Sequence, residues 1–94
     1  MEFKDKDIEA FWKGELQAPR RIPPDCRSQL VRKLQMIEAA TDVRDLRIPP
    51  GNHLERLQGN RFGQYSVRVS SKWRLCFRWE HGEAKEVEFC DYHD

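Results

Sequence analysis

Apolar and polar side chains alternate with a period of two along residues 63–79. Tyr65, Val67 and Val69 are interleaved with Ser66, Arg68 and Ser70, and the alternation resumes with Trp73, Leu75, Phe77 and Trp79 against Arg74, Cys76 and Arg78. This period predicts two half-buried strands. The break at Ser70-Ser71-Lys72 lacks the Asn-Gly or Asp-Gly of a tight primed turn, which predicts a loop of about three residues. Both apolar rows share one face only if paired residue numbers sum to an even value, since a one-residue slip flips every side chain. Val69 then faces Trp73, and Arg68 stands directly opposite Arg74. Like charges so placed cost up to about 1 kcal/mol. A sheet keeps such a pair most readily if an anion belongs between them, and removing one arginine is expected to raise the melting temperature slightly.

The same patterning organises the rest of the chain. Phe3 and Lys4 are expected to begin a short edge strand. Asp5 or Asp7 can cap a helix carrying Ile8, Phe11 and Trp12, stopped by Gly14. A stiff connector from Pro19 to Pro24 leads into a second helix from about Asp25 to Ala40, with Leu30, Leu34 and Ile37 as its buried stripe. Thr41-Asp42 caps at most a short turn through Leu46. Residues 49–52 form a loop, and His53 to Gln58 is a weaker strand candidate, because Leu54 and Leu57 do not alternate cleanly. Gly59 to Gly63 is a turn that places Arg61 at the mouth of the hairpin. His81-Gly82 turns the chain into a last strand, Lys85 to Asp91, with Val87 and Phe89 on the core face and Glu86, Glu88 and Cys90 on the face of Arg68 and Arg74. The expected architecture is α+β: two N-terminal helices packed on a small antiparallel sheet of about four strands.

Ninety-four residues allow one small domain, residues 1–94, with a single modest core. The net charge is only +1, but its distribution is uneven. Residues 44–78 carry eight bases against Asp45 and Glu55, whereas residues 80–94 carry Lys85 against six acids. A near-neutral protein still binds nucleic acid when its bases share a face. An odd count of three cysteines and no signal peptide point to a reducing, cytoplasmic setting rather than a disulfide framework. No apolar run reaches membrane-spanning length.

Candidate chemistry follows from these positions. Arginine makes bidentate, permanently charged contacts to phosphate, so Arg68 and Arg74, with Arg61 and Lys72 nearby, form a potential cradle for a phosphodiester. On the residues alone, phosphate binding and a simply solvated face are both open. At the C-terminal end, Asp91-Tyr92-His93-Asp94 brings groups able to take and give protons beside that cluster. Cys76, Cys90 and His93 lack the paired spacing of a zinc site, so no metal is expected. His53 and His81 adjoin turn residues and are expected to be exposed. Exposed bases on the helical side, Arg20, Arg21, Arg27, Arg32 and Lys33, could serve an RNA or a protein partner equally.

Four ordered segments carry a more specific signal: Pro50-Gly51-Asn52-His53-Leu54-Glu55-Arg56-Leu57-Gln58-Gly59-Asn60-Arg61, Gly63-Gln64-Tyr65-Ser66-Val67-Arg68-Val69, Lys72-Trp73-Arg74-Leu75-Cys76-Phe77-Arg78-Trp79, and Val87-Glu88-Phe89-Cys90-Asp91-Tyr92-His93. Together they resemble the HigB toxins of the RelE-like superfamily of bacterial toxin–antitoxin modules. The resemblance is close over the C-terminal half, and the helical half fits in pattern and length. It implies a microbial-ribonuclease-like sheet and a metal- and cofactor-independent endoribonuclease that cuts mRNA in the ribosomal A site by attack of the 2′-OH. By that analogy Arg68 and Arg74 bind the scissile phosphate, Tyr92 and His93 occupy the proton-transfer positions, and Asp91 orients them. Arg56, Arg61, Lys72 and Gln58 would contact the RNA, with Gln58 standing where the family commonly has a lysine. The implied partners are the ribosome and a helix-turn-helix antitoxin. A non-catalytic RNA-binding or regulatory module and a ribonuclease acting without the ribosome are the alternatives.

Overall fold

The computed structural model describes residues 1–15, 17 and 19–91. Two helices, α1 (Lys6–Trp12) and α2 (Arg27–Ala39), precede a sheet of β1 (Glu55–Arg56), β2 (Tyr65–Arg68), β3 (Trp73–Glu80) and β4 (Glu83–Asp91). The strands run antiparallel in the order β1-β2-β3-β4. No helix among the described residues is long and apolar enough to cross a membrane.

Pro23-Pro24 open a 3-10 turn over Pro24–Cys26, and α2 follows with Leu30, Leu34 and Ile37 buried as the stripe predicts. The chain leaves α2 at Ala40 and is caught by a reciprocal capping arrangement. The Asp42 carboxylate accepts from the Arg44 amide at 2.8 Å, and that of Asp45 accepts from the Asp42 amide at 3.1 Å. A 3-10 turn, Val43–Arg47, results. The expected strand from His53 to Gln58 shrinks to two residues. Leu57 is buried, and at three positions from Leu54 the two leucines cannot share a strand face; His53 also takes a left-handed conformation at φ 44°.

β2 and β3 pair in the expected register, with Val67 opposite Leu75 and Arg68 opposite Arg74. Beyond them the Val69 and Ser70 amides both donate to the Trp73 carbonyl, closing the loop at 2.9 and 3.1 Å. β3 and β4 meet at His81-Gly82, both with positive φ, as a two-residue hairpin turn requires. One extra residue sits in β4 between the pairs Cys76–Glu88 and Arg78–Lys85, and Glu86 there has φ 52°. This bulge resets the alternation, so Ala84 joins Val87 and Phe89 on the buried face. The N-terminal edge segment is present as a single parallel bridge, Phe3 to Val87, whose neighbouring amides cover the outer edge of β4.

Ile8, Leu30, Leu34 and Ile37 from the helices share one core with Val67, Leu75, Phe77, Val87 and Phe89. Trp73 stacks on Phe89 at 4.6 Å, consistent with its core assignment. Two bases expected to be free are committed to this packing. Lys33 is 8% exposed, and its ammonium donates to the Asn52 side chain at 2.6 Å; burial pushes its pKa below the ordinary lysine value. Arg21 clasps the start of α1 to β4, donating to Asp5, Asp7 and the Phe89 carbonyl at 2.9–3.1 Å. Asp5 therefore does not cap α1 with its side chain; it accepts instead from the Phe89 amide at 2.7 Å.

Candidate functional site

The sheet face away from the helices carries Ser66 and Arg68 from β2, Arg74, Cys76 and Arg78 from β3, and Glu88 and Cys90 from β4. The alternation puts them there, and β1 adds Glu55 by pairing it with Ser66. Arg68 and Arg74 lie in register, but each guanidinium has its own anchors. Arg74 Nε donates to Ser66 Oγ at 2.8 Å and a terminal nitrogen to the His53 carbonyl at 2.6 Å, with Glu55 at 3.8 Å. Arg68 Nε donates to the Ser70 carbonyl at 3.2 Å. Neither terminal nitrogen of Arg68, nor Nη1 of Arg74, has a protein partner among the described residues. Those nitrogens can form the planar fork that grips a phosphate or carboxylate.

The other arginines on this face are bound to carboxylates. Arg61 pairs with Glu88 at 2.5 Å and donates to Gln64 at 3.1 Å, while Lys4 approaches Glu88 from the far side at 3.2 Å. Burial alone would raise the Glu88 pKa, but hydrogen bonds from Arg61 and Lys4 outweigh it and hold the carboxyl below the ordinary value. Arg78 pairs with Glu86 at 2.9 Å. Lys72 belongs to the other side of the sheet: it pairs with Asp91 at 3.5 Å and lies over the ring of Trp73, which packs on the core. Asp91 ends β4 opposite Trp73, one residue beyond the Arg74–Cys90 pair. Tyr92 and His93 lie outside the described residues.

Cys76 and Cys90 are free thiols with sulfurs 2.7 Å apart. The hydrogen bond between them pushes the buried Cys76 far up and draws Cys90 down, with Arg61 adding to the latter. The sulfurs are closer than the roughly 3.8 Å that two thiolates about 2.3 Å from one tetrahedral zinc would keep, and the third candidate ligand, His93, is outside the described residues. Among those described, no three His, Cys, Asp or Glu side chains could hold a metal ion.

Arg56 and Gln58 stand apart from the arginine pair. Since Glu55 faces Arg74, its neighbour Arg56 projects to the other side, where its guanidinium lies 5.8 Å from the centre of the Tyr65 ring. Gln58 is exposed and lines a shallow cleft of about 150 Å³ with Arg56 and Tyr65. Reading the sequence missed Ser66 and the His53 carbonyl as anchors of Arg74. The alternation did carry a signal for Ser66: a small hydroxyl residue on the arginine side, diagonal to Arg74. No pattern announces a backbone carbonyl.

Residues 1–93 match the family model described as the RelE-like toxin of type II toxin–antitoxin system HigB. The chain is 45% identical to Toxin HigB-1 of Vibrio cholerae over 84 residues, covering 89% of this chain and 87% of that protein. It is 30% identical to Endoribonuclease HigB of Proteus vulgaris over 92 residues, covering 97% and 96%. Among solved structures, it resembles a chain of the YoeB–YefM complex from Staphylococcus aureus with a TM-score of 0.60. That likeness covers 99% of this chain and 94% of that one at 19% identity, and speaks to the fold alone.

Proposed function

The chain belongs to the RelE-like HigB toxins of type II toxin–antitoxin systems, and on that premise we propose that it is an endoribonuclease that cleaves mRNA in the ribosomal A site. The observation that carries this reading is the in-register Arg68–Arg74 pair, with guanidinium nitrogens left unpartnered on the open face. The name of its Proteus vulgaris relative supports the reaction class.

In this mechanism the scissile phosphate docks between Arg68 and Arg74. The ribose 2′-oxygen attacks phosphorus, forming the P–O2′ bond as the P–O5′ bond breaks. The products are a 2′,3′-cyclic phosphate and a 5′-hydroxyl. The 2′-OH proton passes to one of the groups following β4, Tyr92 or His93, and the other delivers a proton to the leaving 5′-oxygen. Asp91 orients that pair. The two guanidiniums stabilise the charge that builds on the phosphorane, so the step calls for no metal. Arg61 and Lys72 contact flanking phosphates after exchanging Glu88 and Asp91 for them. A helix-turn-helix antitoxin neutralises the enzyme in the cytoplasm.

Primer extension on a defined mRNA, with and without translating ribosomes, tests the proposal. Cuts that require ribosomes and fall in register with codons are expected, and they persist in EDTA under conditions that leave the ribosomes intact. Arg74→Ala should lower the cleavage rate by about 10²–10³, the usual cost of losing one donor to a developing oxyanion. Cuts on free RNA would discard the A-site mechanism, and binding without cuts would favour a non-catalytic RNA-binding module.

A further inference from the structure

The side of the sheet that carries Tyr65 holds a second arrangement of arginines. A cleft of about 360 Å³ opens between the 3-10 turn Val43–Arg47 and the β1–β2 edge. Its apolar lining comes from Val43, Leu54 and Tyr65, and its charged lining from Arg44, Arg47 and Arg56 with Asp42 as the one acid. Arg44 is spent on Asp42, gripping both carboxylate oxygens at 2.9 and 3.1 Å. Arg47 and Arg56 have no carboxylate within ion-pairing distance among the described residues. This contrasts with the opposite face, where Arg61 and Arg78 are each matched to an acid.

Among the described residues, two large apolar side chains stand in water, and both flank this region. Ile48, 78% exposed, follows Arg47, and Phe62, 72% exposed, lines the smaller cleft that shares Arg56 and Tyr65. Apolar side chains beside unpaired guanidiniums are the composition of a protein–protein contact centre. A nucleic acid would use the arginines and could stack on Phe62, but gains little from Ile48, Val43 or Leu54.

We infer that this cleft is the docking surface for an acidic amphipathic segment of the antitoxin, whose apolar side chains fill the Val43–Leu54–Tyr65 floor and whose carboxylates pair with Arg47 and Arg56. The inference rests on the toxin–antitoxin reading above. It places the partner on the sheet face opposite Arg68 and Arg74.

The test uses the full chain and the purified antitoxin encoded with it. Arg47→Glu combined with Ile48→Ser changes two exposed side chains, so the melting temperature should stay within a few degrees of the parent. The variant alone should arrest growth as the parent does. Antitoxin co-expression should then fail to rescue it, and titration should show affinity reduced at least tenfold, with Arg47→Lys retaining most of the binding. Unchanged affinity and rescue would overturn the inference. Loss of growth arrest and ribosome association with antitoxin affinity retained would also overturn it, assigning the cleft to RNA. A parent chain that neither arrests growth nor cuts mRNA would instead bring down the functional reading, and this inference with it.

Discussion

Removing Arg74 and removing Arg68 should have opposite effects on stability, although both relieve the same like-charge pair. That relief stabilises by at most about 1 kcal/mol in either case. Arg74 is the partner of Ser66 Oγ, which is fully buried, and its own side chain is only 13% exposed. Truncation leaves a buried hydroxyl without a partner, at a cost of about 1–3 kcal/mol. The net for Arg74→Ala is a destabilisation of about 1–2 kcal/mol, or a fall in Tm of roughly 5–15 °C for a domain of this size. Arg68 holds only the Ser70 carbonyl in the hairpin loop, so Arg68→Ala should leave Tm unchanged or slightly raised. The patterning alone predicts a small rise for either substitution; the Ser66 contact reverses the sign for one of them. Thermal and urea unfolding of Arg74→Ala, Ser66→Ala and the double variant form a cycle, in which the double variant should be distinctly more stable than the sum of the two losses predicts. A Tm for Arg74→Ala equal to or above that of the parent would refute the reasoning.

Two further substitutions address the frame around the site. Arg21→Ala strips the clasp between α1 and β4, leaving Asp5 and Asp7 without their counter-charge. It should cost about 1–2 kcal/mol in urea unfolding, a figure held down by the partial exposure of the guanidinium, without altering the cleavage rate at low temperature. Glu88→Gln bears on pH. The native carboxyl titrates below its ordinary value of 4.5, so the unfolded chain takes up the proton first as pH falls. Its stabilising contribution is complete above that value and is lost as pH drops through the depressed native one. The glutamine variant should be less stable near neutrality and show a shallower loss of stability on acidification, measured by unfolding from pH 6 to pH 3; parallel curves would show that Glu88 is not linked to folding.

Much of this was legible in the sequence because strand alternation has only two phases. Once Tyr65, Val67 and Val69 are set against Trp73, Leu75 and Phe77, the register follows, and Arg68 must meet Arg74. The stripe of Leu30, Leu34 and Ile37 and the capping of the turn after α2 were local signals of the same kind. What escaped depends on contacts distant along the chain. Lys33 and Arg21 look like surface bases until Asn52 and the Asp5–Asp7–Phe89 group are folded against them. The Glu86 bulge is invisible to a rule that assumes unbroken alternation, although Glu86 still reaches Arg78 and Glu88 and Cys90 keep their expected face. Arg56 lies near the other bases in the chain, yet β1 is only two residues long and turns it to the Tyr65 side.

How the arginines are anchored separates their roles more sharply than their positions do. Arg61, Lys72 and Arg78 are held by carboxylates, so an incoming phosphate must displace an anion before it gains their charge. Arg68 and Arg74 are held mainly by neutral acceptors, a hydroxyl and two backbone carbonyls, with Glu55 at the longer distance of 3.8 Å. Neutral acceptors restrict the rotamers of a guanidinium without cancelling its charge, which keeps the positive potential on the open face. In the proposed mechanism, two groups so oriented before a phosphate arrives leave less reorganisation for the transition state. The like-charge repulsion of up to about 1 kcal/mol in the free protein is the corollary. An anion between the two arginines would relieve it, and in the proposed mechanism a phosphorane, carrying more negative charge than the diester it forms from, would relieve it most.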